Sequence, residues 1–343
     1  MQAALITGTR HLELVGVPEP QPAPGAVVVD ITYCGVCGTD VGAYRSGRTS
    51  HPSVFGHEWT GTIRSVGTDV ADLATGDRVV IGVRSPCGAC RACVAGHAGS
   101  CEAVRSMLLG YDPLASRHGG FAPAITVAAA RLVPAHPALT DEEAAMIEPA
   151  AVAYRGVRRS GVGLGASVVV QGAGPIGLLT LQLALAAGAT RVIAIEQDER
   201  RRAAALELGA HLALPPGTES ATAVLDMTDG VGSDVVFECA GRAPLLQEAA
   251  NLTRHGGVMT MLGYIEEPAT IEPALWLGKD ITVRASVGFA REDIVDVMAL
   301  VAARRVEVAP LHSRTIGLHD LADVLDTLDS GSSADTKVLV APR

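Results

Sequence analysis

The 343-residue chain is poor in aromatic side chains, with two Trp, five Tyr and four Phe. Its cores must therefore be built from Val, Leu, Ile and Ala, which suits buried parallel strands flanked by Ala/Leu-rich helices. Lysine is nearly missing: Lys279 and Lys337 are the only two, and arginine carries almost all the positive charge. The formal net charge is −10, and there is no basic patch of the kind a nucleic-acid binder needs, so no nucleic-acid partner is expected. No apolar run approaches the length of a membrane span; "GLLTLQLALAAGA" comes closest, but it is short and carries Thr180 and Gln182. The first residues, "MQAALITGTRHLELVG", lack a basic segment followed by an apolar core, so no secretory leader is expected. These absences point to a cytoplasmic protein with no membrane partner. In that compartment thiols stay reduced, and clustered cysteines mean metal more often than disulfides.

Four of the seven cysteines fall within "CGACRACVAGHAGSC", as Cys87, Cys90, Cys93 and Cys101. Four thiolates at this spacing can close around one tetrahedral zinc, leaving no open position for chemistry. An iron–sulfur cluster takes the same donors. Gly88, Gly96 and Gly99 ease the turns that such a knot requires.

Up to about residue 135 the chain is rich in Gly, Pro and short β-like runs: "AVVVDITY", "WTGTIRSVG", "DRVVIGV" and "APAITV". From about 140 the rhythm changes. "LTDEEAAMIEPAAVAYRGV" reads as helix, opened by a capping box from Thr140 to Glu143. Apolar strands then alternate with helices through "SVVVQGAG", "RVIAIE", "SDVVFECAG", "GGVMTMLG" and "ITVRASVG", which predicts a doubly wound parallel sheet. Beyond Gly288, two helical stretches and a last strand, "TKVLVA", are expected to return to the first domain.

"VVVQGAGPIGLL" holds Gly172, Gly174 and Gly177 in the GxGxxG spacing, between a strand and a helix that opens at Pro175 and Ile176. In that context the glycines serve the tight turn, the backbone's approach to a pyrophosphate, and the packing of helix on strand. The helix N-terminus then offers its free N–H groups to the phosphates. Glu196 ends the next strand, where a carboxylate can hydrogen-bond ribose hydroxyls and repel a 2′-phosphate, which favours NAD over NADP. Arg200, Arg201 and Arg202 lie close by and are able to bind a phosphate.

Three further blocks are "CGVCGTD" (34–40), "FGHEWTG" (55–61) and "IEPAA" (147–151). With "GDRV", the four-cysteine lobe, "HGGFA", GAGPIG and "RVIAIE", all in order, the chain resembles the zinc-containing medium-chain alcohol dehydrogenases over essentially its whole length. It looks closest to their NAD-dependent polyol and secondary-alcohol branch, which includes sorbitol, butanediol and threonine dehydrogenases. The resemblance implies an α/β fold. A GroES-like β-rich catalytic domain would span 1–150 and 288–343, with the structural zinc lobe at about 85–105, and a Rossmann NAD-binding domain would span 151–287.

The resemblance also assigns roles and resolves the lobe's metal as zinc, giving two zinc ions per chain. Cys37 and His57 match catalytic zinc ligands; Glu148 falls at the third ligand position, and Glu58 can also reach the metal. Which glutamate binds directly stays open. Asp40 matches a residue that hydrogen-bonds the liganding histidine, and Thr39 matches a hydroxyl that contacts the substrate oxygen and passes on its proton. Arg201 joins Gly172, Gly174, Pro175, Ile176, Gly177 and Glu196 on the cofactor side. Gly42 stands where many relatives place a relay histidine, leaving water, His51 or Tyr44 as the proton's exit; Gly38 replaces an arginine that some relatives use on the cofactor phosphates. Cys34 is expected to be a buried strand residue and Cys239 to pack beside the cofactor. The implied partner is a small alcohol, and the "ITVRASVG" strand is the family's pairing edge, giving a homodimer or homotetramer. Two other readings remain: a specialised biosynthetic dehydrogenase of a cyclitol, aminocyclitol or sugar, and a catalytically silent NAD-binding regulatory protein. Pocket walls are expected from the loops around 45–55, 108–118 and 264–295.

Overall fold

A computed structural model describes residues 1–49, 51–111 and 114–343; positions 50, 112 and 113 of the expected pocket loops lie outside the described residues. Among the described residues the chain divides into two compact units, 1–148 with 289–302 and 312–343, and 149–288 with 303–311. The expected boundaries shift at three places, the smallest being Gly288, which falls in the second unit. The first division falls between Glu148 and Pro149, and the stretch 303–311 belongs to the second unit rather than the first. There the Gln182 side-chain amide acts as a strand-like partner. Its oxygen accepts the Glu307 N–H at 2.7 Å, and its nitrogen donates to the Glu307 carbonyl at 2.9 Å.

The first unit opens with a hairpin of β1 (Gln2–Gly8) and β2 (His11–Gly16). Its core strand is β3 (Ala26–Gly35), followed by α1 (Gly38–Ser46), β4 (Glu58–Val66) and β5 (Arg78–Ile81). Two short helices, α2 (Arg91–Val94) and α3 (Glu102–Leu108), carry the cysteine lobe. After these come β6 (Ala124–Ala128), β7 (Leu132–Pro134), α4 (Asp141–Ala145) and α5 (Ile147–Ser160). The Thr140 capping box forms: Thr140 Oγ1 accepts the Glu143 N–H, and Glu143 Oε2 accepts the Thr140 N–H. The expected single helix over 139–157 is instead two. Pro149 has no N–H to give the Ala145 carbonyl, so the first helix ends and the chain turns at Met146, and the second helix starts with Pro149 in its first turn, where no such bond is needed. That restart puts Glu148 in the first turn of α5.

The second unit follows the expected alternation: β8 (Ser167–Gln171), α6 (Pro175–Ala186), β9 (Arg191–Ile195), α7 (Glu199–Glu207), β10 (Leu212–Leu214) and α8 (Thr218–Met227). Next come β11 (Ser233–Glu238), α9 (Ala243–Leu252), β12 (Thr253–Met261), α10 (Pro273–Gly278) and β13 (Thr282–Ala285). The six strands pair in parallel in the order β10-β9-β8-β11-β12-β13 among the described residues. The order reverses between β8 and β11, and ligands of open α/β sheets bind at the carboxyl ends of strands at such a point. Lys279, one of the two lysines, donates to the Ala250, Asn251 and Thr253 carbonyls at 2.8–3.0 Å and so satisfies the C-terminal end of α9.

The chain completes the first unit with α11 (Arg291–Ala302), β14 (His312–Gly317), α12 (Leu321–Asp329) and β15 (Lys337–Ala341). β15 pairs antiparallel with β3, so the end of the sequence lies beside the strand that leads to Cys37. The core of this sheet is aliphatic, with Phe55, Phe121 and Trp59 as its largest rings. No helix among the described residues is long and apolar enough to cross a membrane.

Candidate metal centre and dinucleotide site

Cys37 Sγ, a His57 ring nitrogen and a Glu58 carboxylate oxygen all lie within 4.8 Å of one another. They come from two places: the turn between β3 and α1, and the start of β4. Asp40 joins those places. Its Oδ2 accepts the Cys37 N–H at 2.9 Å and its Oδ1 accepts the Gly56 N–H at 3.0 Å. The expected Asp40–His57 hydrogen bond takes a different form. His57 Nδ1 bonds the Val54 carbonyl at 3.0 Å, and Asp40 lies 3.8 Å away as an ion-pair neighbour. Either way Nδ1 carries the proton and Nε2 is left to a metal.

Glu148 stands outside the triplet yet close enough to sense it. Burial, joined by the charges of Glu58 and Asp40, raises its carboxyl to about 7 against the opposing pull of His57 and Lys337. Burial works against charging His57, but Cys37, Asp40 and Glu148 still raise it well above the usual range. Lys337 is the residue that sequence reasoning missed. Its Nζ donates to Glu58 Oε2 at 2.6 Å and to the Val36 carbonyl at 2.9 Å, with both side chains at most 3% exposed. Burial opposes its charge, and Glu58 and Cys37 restore it. The signal was present in the sequence: a lysine opening an apolar strand in a chain with only one other lysine.

Thr39 sits exposed in the first turn of α1. Gly42 lies in the same helix with open space where a side chain would be, apart from the Arg45 guanidinium at 3.7 Å. Tyr44 does not replace a relay base, because its side chain is buried, and burial together with the nearby Asp326 carboxylate of α12 raises its phenol pKa. His51 caps the 52–54 turn, its Nδ1 accepting the Ser53 N–H at 3.2 Å. Cys34 is buried in β3 as expected. Thiolates and carboxylates gathered on a histidine form a donor set that fits zinc.

The four cysteines of the lobe also converge, with their sulfurs within 4.8 Å of one another. Backbone N–H groups already point at them: Cys87 N–H to Cys101 Sγ and Cys90 N–H to Cys87 Sγ, both at 3.3 Å. Burial pushes the Cys101 thiol up, but the N–H groups of Cys87, Val104 and Ala103 bring it down to about 6. Gly88 and Gly96 adopt left-handed φ of 71° and 81° as a sharp turn requires; Gly99 instead lies in a 3-10 turn. This all-sulfur set, saturated by protein, fits a structural zinc.

In the second unit the glycine loop opens α6, with Gly174 as its N-cap and Pro175 and Ile176 in the first turn. Gly172 has φ 90°, and a Cβ there would press on Ala240. A Cβ on Gly177 would collide with the Gly172 carbonyl oxygen, whereas one on Gly174 would meet open space. A tight turn, open space and close packing thus fall on Gly172, Gly174 and Gly177 respectively. Glu196 accepts the Ala173 N–H at 2.7 Å and the Asp198 N–H at 3.0 Å, and so fastens the loop to β9. Arg200 pairs with Asp198, and Arg202 donates to the Glu196 and Gln197 carbonyls. The Arg201 N–H bonds Asp198 at the start of α7. Cys239 Sγ lies 3.9 Å from the Thr180 hydroxyl, and burial pushes its thiol up.

Comparison with known proteins agrees with this geometry. Residues 23–137 match the alcohol dehydrogenase GroES-like domain, and residues 175–303 match the zinc-binding dehydrogenase family. The chain is 31% identical to (R,R)-butanediol dehydrogenase of Bacillus subtilis, with 100% of each chain covered. It is 30% identical to a sorbitol dehydrogenase of Halalkalibacterium halodurans, covering 98% of this chain and 97% of that one. A zinc-binding dehydrogenase from Sinorhizobium meliloti, solved with NADP, superposes with a TM-score of 0.86 at 30% identity over 99% of both chains. The chain belongs to the zinc-dependent medium-chain alcohol dehydrogenases, in their polyol branch.

Proposed function

We propose that this chain is an NAD-dependent dehydrogenase of a secondary alcohol or polyol, carrying a catalytic and a structural zinc. The observation that carries the reading is the Cys37–His57–Glu58 triplet, brought together by Asp40 and backed by Lys337. Cys37 and His57 would hold the catalytic ion, with Glu58 or Glu148 as its carboxylate; Cys87, Cys90, Cys93 and Cys101 would hold the other. Zinc there supplies Lewis-acid polarisation of the substrate oxygen, and NAD the hydride acceptor. Lys337 neutralises Glu58 inside a buried site, Asp40 fixes the spacing of the two ligand turns, and the exposed Thr39 hydroxyl takes the substrate's proton. With Gly42 bare and Tyr44 turned to Asp326, the proton passes from Thr39 to water or to His51.

NAD is favoured over NADP because the Glu196 carboxylate occupies the end of β9, while Arg200 and Arg202 are already engaged. A homodimer or homotetramer is favoured by the edge strand β13, exposed along its length, with Val283, Val287 and Leu277 facing solvent. A cytoplasmic location suits thiolate ligands that must stay reduced.

The test is the initial rate of NADH formation by zinc-loaded protein on secondary alcohols, vicinal diols, polyols and cyclitols, with NADP in parallel and zinc counted per chain. A clear rate with a diol or polyol supports the reading. Turnover confined to cyclitols, aminocyclitols or sugars favours a specialised biosynthetic dehydrogenase. Full activity in Cys37→Ser would remove the proposed catalytic centre.

A further inference from the structure

We infer that Glu238, with Gln171 beside it, is the positioning residue of the dinucleotide site. Glu238 ends β11 and Gln171 ends β8, and the two are register partners, so their side chains project from one face of the sheet at the point where strand order reverses. Their exposures are 0% and 1%. A carboxylate this deep is costly unless its oxygens are hydrogen-bonded.

One oxygen is fully used. Glu238 Oε1 accepts the N–H groups of Gly241 at 2.7 Å, Ala240 at 2.9 Å and Arg242 at 3.4 Å. The Glu238 carbonyl oxygen accepts the N–H groups of Leu262 and Gly263 at 2.8 and 2.9 Å. The loop shaped in this way touches both of its neighbours. A Cβ on Gly172 would lie 2.9 Å from Ala240 Cβ, and one on Gly263 would lie 2.5 Å from Glu238 Oε2. The glycine loop, residues 239–242 and residues 262–263 are therefore close-packed around this one side chain. All three leave the carboxyl ends of adjacent strands, where a dinucleotide meets the sheet.

The other oxygen is not used. Glu238 Oε2 and both polar atoms of the Gln171 side chain have no hydrogen-bond partner among the described residues. Three such atoms together on one sheet face mark a place held by its surroundings rather than relaxed. In the inferred arrangement the Gln171 Nε2–H donates to Oε2 across the register pair, which would fix the carboxylate plane and with it the N–H groups of 240–242. Burial holds the Glu238 carboxyl above its ordinary range, and those N–H groups oppose the shift. Glu238 reaches the dinucleotide only through the loop it shapes.

The inference rests on the dinucleotide reading above, and the test separates the two. Dissociation constants for NADH and NADPH are measured by fluorescence titration of wild type, Glu238→Leu, Glu238→Gln and Gln171→Leu. Amide exchange at 240–242 is followed in the ligand-free proteins. Glu238→Leu should weaken binding about tenfold or more and speed exchange at 240–242, with KM for the dinucleotide rising more than kcat falls. Glu238→Gln keeps an acceptor oxygen and should stay within about threefold of wild type. Gln171→Leu should fall between them. If Glu238→Leu does not fold, Gln171→Leu carries the test, and wild-type affinity and exchange in that variant overturn the inference. Wild-type protein that binds neither dinucleotide overturns both readings; wild-type binding matched by Glu238→Leu overturns the positioning role alone.

Discussion

At the scale of single residues, the buried charges decide most. Lys337 and Glu58 compensate each other out of water, so losing one strands the other. Lys337→Met should cost about 3 kcal/mol of stability and lower zinc retention at the Cys37 centre. Urea unfolding and metal analysis check this, and an unchanged midpoint would show that Glu58 needs no ammonium. His118 gives a pH effect of definite sign. It is buried, bonded to the Gly119 carbonyl, and burial lowers its pKa from 6.5. The unfolded chain then binds more protons in the window below about 6.5, so stability is complete above that pH and falls as pH drops toward the folded value. His118→Asn should flatten the decline in urea midpoint between about pH 7 and about pH 5; a decline as steep as wild type would place the acid sensitivity elsewhere.

At the scale of elements, packing without side chains sets the site. Gly177→Ala would drive a methyl into the Gly172 carbonyl and lift α6 off its loop. A loss of about 1–3 kcal/mol is expected, with dinucleotide affinity falling alongside; thermal melting and NADH titration read the two together, and wild-type affinity would mean that the loop tolerates the shift. Most of residues 84–100 are exposed, so the cysteine lobe has little core of its own and a metal on its four sulfurs would hold it. Cys101→Ser should release one zinc and speed amide exchange over 87–108 while the β3 sheet stays protected. Exchange unchanged across the lobe would show that its two short helices stand without metal. The helices themselves follow local rules: the Thr140 capping box was legible, while the break at Met146 needed Pro149 to be read as a stop.

At the scale of the whole molecule, the exposed edge of the six-stranded sheet is the feature to test. Val283→Lys places a charge on β13, whose open outer edge invites a second copy. Sedimentation should show a shift toward monomer, and a wild-type assembly carrying the substitution would move the interface elsewhere. The units are legible in the sequence because their rhythms differ: short strands between turns in one, strand–helix alternation in the other. The boundary at 303–311 was not legible, since it rests on long-range contacts, among them the Gln182 amide pairing with the Glu307 backbone far along the chain.

What lies close along the chain could be read along the chain. Cys87, Cys90, Cys93 and Cys101 are close in sequence and had to meet, and the glycine spacing with Glu196 is a local pattern read along one strand–turn–helix. Tertiary structure decided what surrounds that chemistry. Lys337 lies 279 residues from Glu58, and Glu238 meets Gln171 only because β8 and β11 pair in register. Neither pairing leaves a local period or spacing, because each is set by which strands become neighbours. Tyr44 likewise turned away from the site toward α12, whereas the His57 bond to the Val54 carbonyl is local, three residues back along the chain.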